Sequence, residues 1–251
     1  MPATGRPKKQ RLDVALTERG IAPSREKARA FILAGAVSVD GQTETRAGAM
    51  VAAGAALALS QPARFVSRGG EKLDHALTAF GIDVAGRVAM DVGASTGGFT
   101  DCLLQRGAVR VYAIDVGYGQ LDQRLRADER VVVMERTHMR DLASLPEQPD
   151  LATADVSFIS LTKVLPAVVA LLRPGADIIA LVKPQFEAER DEASRRGVVS
   201  DPLVHASVIG RVAWWCVNNG LRIRGLTASP LRGPAGNKEF FLWLQPVASR
   251  P

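Results

Sequence analysis

Metal-ligating residues are scarce in this sequence, with two cysteines and three histidines among 251 residues. Cys102 and Cys216 lie far apart in apolar, helix-like contexts, and His75, His138 and His205 share no ligand spacing. That pattern speaks against a zinc finger or a paired-histidine metal site. The two thiols read as buried and reduced, as in a cytoplasmic protein. Long hydrophobic runs are missing too: the longest, VLPAVVALL at 164–172, contains Pro166 and is far shorter than the roughly 20 residues that cross a bilayer. The opening MPATGRPKKQR lacks the apolar stretch of a signal peptide. Neither the dinucleotide pattern Gly-x-Gly-x-x-Gly nor a phosphate-binding Gly-Lys-Ser/Thr ending occurs at the one glycine-rich turn of note. The expectation is an intracellular chain with no membrane segment and no metal.

Apolar content of 47% with 23% charged residues allows a sizeable core. The charge is unevenly spread. Residues 1–72 carry 12 Lys and Arg against 6 Asp and Glu, whereas the remainder carries 20 of each. A basic module that meets a polyanion, joined to a neutral body, fits this asymmetry. Residues 1–10 read as a disordered basic tail. RLDVALTERG (11–20) has helical spacing closed by Gly20, and Ser24 caps a second helix over 24–35 ending at Gly35. VSVDGQT (37–43) is a strand entering an Asp-Gly turn. Arg11-Leu12-Asp13, Gly20, Ser24-Arg25, Ala28, Gly35, Val37 and Val39-Asp40-Gly41, in this order, resemble the S4-like RNA-binding domain over 11–60. The resemblance implies docking on structured RNA through Arg11, Arg25, Lys27 and Arg29, contacts that give affinity but little sequence information. Residues 61–70 read as an interdomain linker, with Arg64 and Arg68 as further RNA contacts.

After residue 87 strands and helices alternate. Strands are expected at 88–92, 109–115, 131–134, 150–155, 177–183, 221–229 and 239–245, and helices at 97–106, 120–127, 141–146, 160–172 and 202–219. Such alternation predicts a mostly parallel sheet covered on both faces. The loop at 229–238 is too short for a parallel crossover, so the seventh strand should run antiparallel to the sixth. This is the α/β, Rossmann-like architecture of S-adenosylmethionine-dependent methyltransferases, here over 71–251.

DVGASTGGFT (91–100) links the first strand to its helix, with Gly93, Gly97 and Gly98 permitting close backbone approach to a ligand beside Ser95, Thr96 and Phe99. Asp115 ends the second strand, where a carboxylate accepts ribose hydroxyls. Together they favour S-adenosyl-L-methionine. Asp91 either orients the loop or touches the donor amino group. Asp155 and Lys183 end the fourth and fifth strands, and Glu239 starts the reversed seventh, so strand direction puts all three at one sheet edge. Lys72 opens the helix before the first strand. Two lysines and two carboxylates there suit deprotonation of a sugar hydroxyl, with Lys183 as base, Lys72 steadying the alkoxide, Asp155 orienting Lys183, and Glu239 holding Lys72 or the ribose. The pattern leaves open which lysine is the base.

SRGGEKLDHAL, DVGASTGGFT, VYAIDVGYGQL, ADVSFISL, LVKPQFE and GNKEFFLWL, behind an S4-like domain, resemble the hemolysin A (TlyA) family of rRNA 2′-O-methyltransferases, whose catalytic domain is similar to the FtsJ group. The resemblance implies methylation of a cytidine 2′-hydroxyl in ribosomal RNA, 16S, 23S or both, and assigns the Lys-Asp-Lys-Glu tetrad to Lys72, Asp155, Lys183 and Glu239; a monomer is expected. His138 stands where the family pattern has Asn, in a loop expected beside the donor adenine together with Asp141. Arg195 and Arg196, with Arg190, belong to a charged stretch (185–199) that could order over RNA. Trp214 and Trp215 read as core. Two other readings are a membrane-active haemolysin, which lacks a spanning or long cationic amphipathic segment, and a non-catalytic ribosome-binding factor.

Overall fold

The computed structural model describes residues 9–59, 64–188 and 197–247. The chain forms two compact units that meet in sequence between Arg64 and Phe65.

In the first unit, β1 (Lys9–Arg11) leads into α1 (Leu12–Glu18), then α2 (Arg25–Leu33), β2 (Val37–Val39), β3 (Gln42–Thr43), β4 (Met50–Ala52) and β5 (Leu57–Leu59). Ser24 caps α2 by accepting the Lys27 N–H, one of the orphan donors of a helix start. Asp40 and Gly41 both have positive φ, 50° and 82°, as the tight turn from β2 to β3 requires. Leu12, Leu16, Ala28, Ile32 and Val37 form its core. The sequence assigned Lys9 and Gln10 to a disordered tail. They instead pair with Ala52 and Val51 of β4, a nonlocal partnership that a polar tripeptide does not announce.

The second unit begins with α3 (Arg68–Phe80), which starts inside the stretch read as linker, with Ser67 as its cap. There follow β6 (Val88–Val92), α4 (Gly98–Gln105), β7 (Arg110–Ile114), α5 (Gln123–Arg126), β8 (Val131–Met134), β9 (Leu151–Ala154), α6 (Leu165–Leu171), β10 (Asp177–Val182), α7 (Pro184–Glu187), α8 (Pro202–Asn218), β11 (Leu221–Ala228) and β12 (Phe240–Pro246). These strands make one sheet in the order β11-β12-β10-β9-β6-β7-β8. β12 is antiparallel to both neighbours, and the strands from β10 across to β8 are parallel. β9 and β10 are buried along their whole length, which fits their largely apolar sequences, with Thr153 and Asp177 the polar exceptions. Edge strand β11 instead alternates. Separate hydrophobic clusters cover the two sheet faces.

The helix expected at 141–146 does not form. A single 3-10 turn, Met139–Asp141, is followed by irregular chain. Pro146 and Pro149 remove backbone donors there and disfavour a helix reaching them. Trp214 also departs from expectation: it is 70% exposed on α8, because the apolar side of that helix is turned inward through Val208, Val212 and Cys216.

Candidate active site

At the carboxyl edge of the parallel strands, the turn after β6 brings the chain close to the loop after β9. Gly93 has φ +86°, and a Cβ placed on it would lie 2.4 Å from the Asp155 carbonyl oxygen. Only glycine suits both demands. A second close approach fixes α3. A Cβ on Gly98 would meet Ser67 Oγ at 2.2 Å and the Gly70 backbone nitrogen at 2.9 Å, and the Val66 N–H donates to Asp101 Oδ2 at 2.8 Å. The start of α3 is thereby pinned to α4, which sets Lys72, one turn further on, over the sheet edge.

Lys72, Asp155, Lys183 and Glu239 line one cavity of about 240 Å³. Lys72 Nζ donates to Glu239 Oε2 at 2.6 Å, with Lys72 8% and Glu239 1% exposed. Lys183 Nζ lies 2.5 Å from Asp155 Oδ1 and donates to Ser157 Oγ at 3.0 Å. The first of these is a charge contact without hydrogen-bond alignment, since Asp155 Oδ1 has no hydrogen-bond partner. Glu239 Oε1 is likewise buried without one. The site thus consists of two lysine–carboxylate pairs that retain free acceptor capacity. Arg68, Ser95, Thr96, Gly98 and Phe99 line the same cavity.

A second cavity, of about 370 Å³, adjoins the first through Gly93, Ser95 and Asp155. Ile114, Val116, Val156 and Ile159 give it apolar walls, and Asp115 supplies a carboxylate. Asp115 accepts the N–H groups of Ser95 (2.8 Å) and Gly117 (2.6 Å), so its position is tied to the glycine turn.

Three residues expected at a bound donor line neither cavity. Asp91 is fully buried, accepting hydrogen bonds from Thr100 Oγ1 (2.7 Å) and Thr153 Oγ1 (2.9 Å). It orients the loop from beneath. Burial pushes its carboxyl up to about 6, against the two threonine hydroxyls and with help from the Asp155 charge. Gly97 packs on α5: a Cβ there would meet Leu125 at 2.2 Å. Asp141 is not part of the wall, which His138, Met139 and Arg140 form instead. Ser157, Phe158 and Pro234 also border the cavities. Ser157 and Phe158 sit in an irregular loop where no periodicity marks them, and only nearness in sequence to Asp155 could have singled them out. Phe158 is 91% exposed, with φ +62°, its ring 5.0 Å from that of Phe186.

In the first unit, Arg11 and Arg25 do not stand free. Both converge on the buried Asp13, with Arg11 donating through Nε and Nη2 and Arg25 through Nε, at 3.0 Å each. The two guanidiniums, Arg11 first, hold the Asp13 carboxyl down at about 2. Lys27 and Arg29 are exposed on α2. Arg190, Arg195 and Arg196 lie outside the described residues. His205 is buried with Nε2 2.9 Å from the Val199 carbonyl oxygen, a structural contact. No helix among the described residues is long and apolar enough to cross a membrane.

Residues 65–246 match the FtsJ-like methyltransferase family, and residues 10–57 the S4 domain. The chain is 47% identical to the 16S/23S rRNA (cytidine-2′-O)-methyltransferase TlyA of Mycobacterium tuberculosis (strain ATCC 25618 / H37Rv), over 97% of this chain and 92% of that protein. It is 40% identical to Hemolysin A of Brachyspira hyodysenteriae, over 92% and 97% of the two chains. Among solved structures, "Putative hemolysin from Streptococcus thermophilus" superposes with a TM-score of 0.75 at 40% identity, covering 98% of this chain and 90% of that one. With the glycine turn, the four-residue cavity and the reversed strand β12 in place, the chain belongs to the FtsJ-like methyltransferases that carry an S4 domain, the group that includes TlyA and hemolysin A.

Proposed function

We propose that this protein methylates the 2′-hydroxyl of a cytidine in ribosomal RNA, using S-adenosyl-L-methionine, in the cytoplasm. The observation that carries this reading is the pairing of two lysines with two carboxylates in one cavity that opens onto a second, apolar-walled one. The residues of the larger cavity fit the methyl donor. Asp115 keeps lone pairs for ribose hydroxyls beyond its two backbone donors, and apolar side chains suit an adenine ring. When bound, S-adenosylmethionine supplies an electrophilic methyl group.

The chain's own residues account for the remainder. A ribose hydroxyl attacks well only as its proton leaves, and a lysine accepts that proton only in its neutral form. Lys183, oriented by Asp155 and Ser157, gives its ammonium proton to solvent and, as the neutral amine, takes the hydroxyl proton. Lys72, held by Glu239, presents a cation to the developing alkoxide. Burial of that pair keeps water from weakening the interaction. The first unit supplies basic residues for RNA phosphates, and the cytidine assignment follows the named activity of the TlyA relative. Transfer of labelled methyl groups to 16S and 23S rRNA, with ribose methylation mapped by nucleotide, tests the proposal. Equal labelling by wild type and Lys183→Ala would sink it.

A further inference from the structure

We infer that Glu187 is a positioning residue, which locks the loop bearing Asp155 and Ser157 onto the helical turn that follows Lys183. This rests on the methyl-transfer reading of the cavity. Glu187 ends α7, the single turn begun by Pro184 directly after Lys183. Its carboxylate reaches across to the other loop: Oε1 accepts the Leu161 N–H at 2.7 Å and Oε2 accepts the Ser160 hydroxyl at 2.6 Å. Two more links join the same segments. Phe158 and Phe186 pack with ring centroids 5.0 Å apart, and Lys183 Nζ donates to Ser157 Oγ at 3.0 Å.

The order of these links explains why Glu187 matters. The contacts of Lys183 with Asp155 and Ser157 are the catalytic ones, and they must stay adjustable as substrate enters. Phe158 holds a positive φ of 62°, a conformation that persists only where surrounding structure over-determines it. Glu187 is the carboxylate among the links named, and it satisfies a backbone N–H at the start of the 3-10 turn Leu161–Lys163. Burial raises its carboxyl above the usual range, while Ser160, the Leu161 amide and the charge of Arg211 lower it. From α8, Arg211 and Cys216 are the charged and titratable groups that face it. Both oxygens are engaged within the seam, and the half-buried Glu187 also borders a cavity lined by Ser160, Thr162 and Arg211.

The test uses full-length wild type, Glu187→Gln and Glu187→Ala, and reads three quantities: hydrogen exchange at the Leu161 amide, S-adenosylmethionine affinity by calorimetry, and the single-turnover rate of methyl transfer to rRNA. In Glu187→Ala the Leu161 amide should exchange at least ~10-fold faster. The transfer rate should fall about 10–100-fold, as displacement of a reacting group by an ångström or less allows. Donor affinity should fall less than the transfer rate, because Glu187 does not itself line the donor cavity and acts there only through the Asp155–Ile159 loop. Glu187→Gln, whose amide oxygen can replace one of two acceptors, should fall between. A normal rate despite an open Leu161 amide overturns the inference, and so does a slowed rate with Leu161 still protected. If thermal unfolding shows that lost folded protein accounts for the lost rate in both variants, Glu187 is only a stabiliser and the inference also fails. If wild type transfers no methyl group, the functional reading fails instead, and the brace stands or falls on Leu161 exchange alone.

Discussion

Lys72 and Glu239 are 167 residues apart in sequence, yet Lys72 Nζ donates to Glu239 Oε2 at 2.6 Å, and both side chains are buried. Removing one member of such a pair leaves the other charge uncompensated. Glu239→Ala should therefore cost about 3–5 kcal/mol of unfolding free energy, measured by denaturant titration. Glu239→Gln, which keeps an acceptor for Lys72, should cost less. Equal denaturation midpoints for wild type and Glu239→Ala would show that the pair is hydrated in solution.

Lys183 meets Asp155 and Ser157 at the mouth of the same cavity. Lys183→Ala should lower single-turnover methyl transfer by about 10²–10⁴-fold, the usual worth of a general base. Its affinity for S-adenosylmethionine should change little, since Lys183 is absent from the walls of the larger cavity. A loss of donor affinity as large as the loss of rate would instead make Lys183 a binding residue.

Asp91 gives a pH signature of stability. Its carboxyl sits at about 6 in the folded protein against 3.8 for the free side chain. The folded state thus holds a proton that the unfolded chain has already released between these values. The stabilisation is complete below about pH 4 and is lost as pH rises through about 6, on the order of 2–3 kcal/mol in all. Denaturant unfolding at pH 4.5 and pH 7 should show this decline in wild type relative to Asp91→Asn. Parallel pH trends in the two proteins would refute the assignment.

Lys27 and Arg29 are exposed, whereas Arg11 and Arg25 are tethered to Asp13. Replacing Lys27 and Arg29 together with alanine should weaken rRNA binding and flatten its dependence on salt by roughly 1–2 units of log–log slope. Filter binding at several salt concentrations would measure this. An unchanged slope would mean that α2 faces away from the RNA.

Much of this arrangement was legible in the sequence because it follows from local rules. The alternation of strand and helix patterns marked β9 and β10, and the short 229–238 connection required β12 to reverse. Strand direction alone brought Asp155, Lys183 and Glu239 to one edge. Other features depend on contacts that local patterning does not encode. The pairing of Lys9 and Gln10 with β4 needs a partner forty residues away, as does the seam between Phe158 and Phe186 at shorter range. Asp91 and Gly97 carry the residue types of a ligand loop, yet burial under Thr100 and Thr153, and packing on Leu125, turn them into its supports. Trp214 shows the opposite error, an apolar residue whose helical phase leaves it in water.

The place of β12 has a bearing on how this catalyst comes into being. As the last strand among the described residues, it slots between two strands synthesised earlier and delivers Glu239 to a lysine far upstream in the chain. A nascent chain that has folded everything up to β11 therefore still lacks the counter-ion of Lys72. Synthesis order thus makes the Lys72–Glu239 bond one of the later contacts of the sheet that can form.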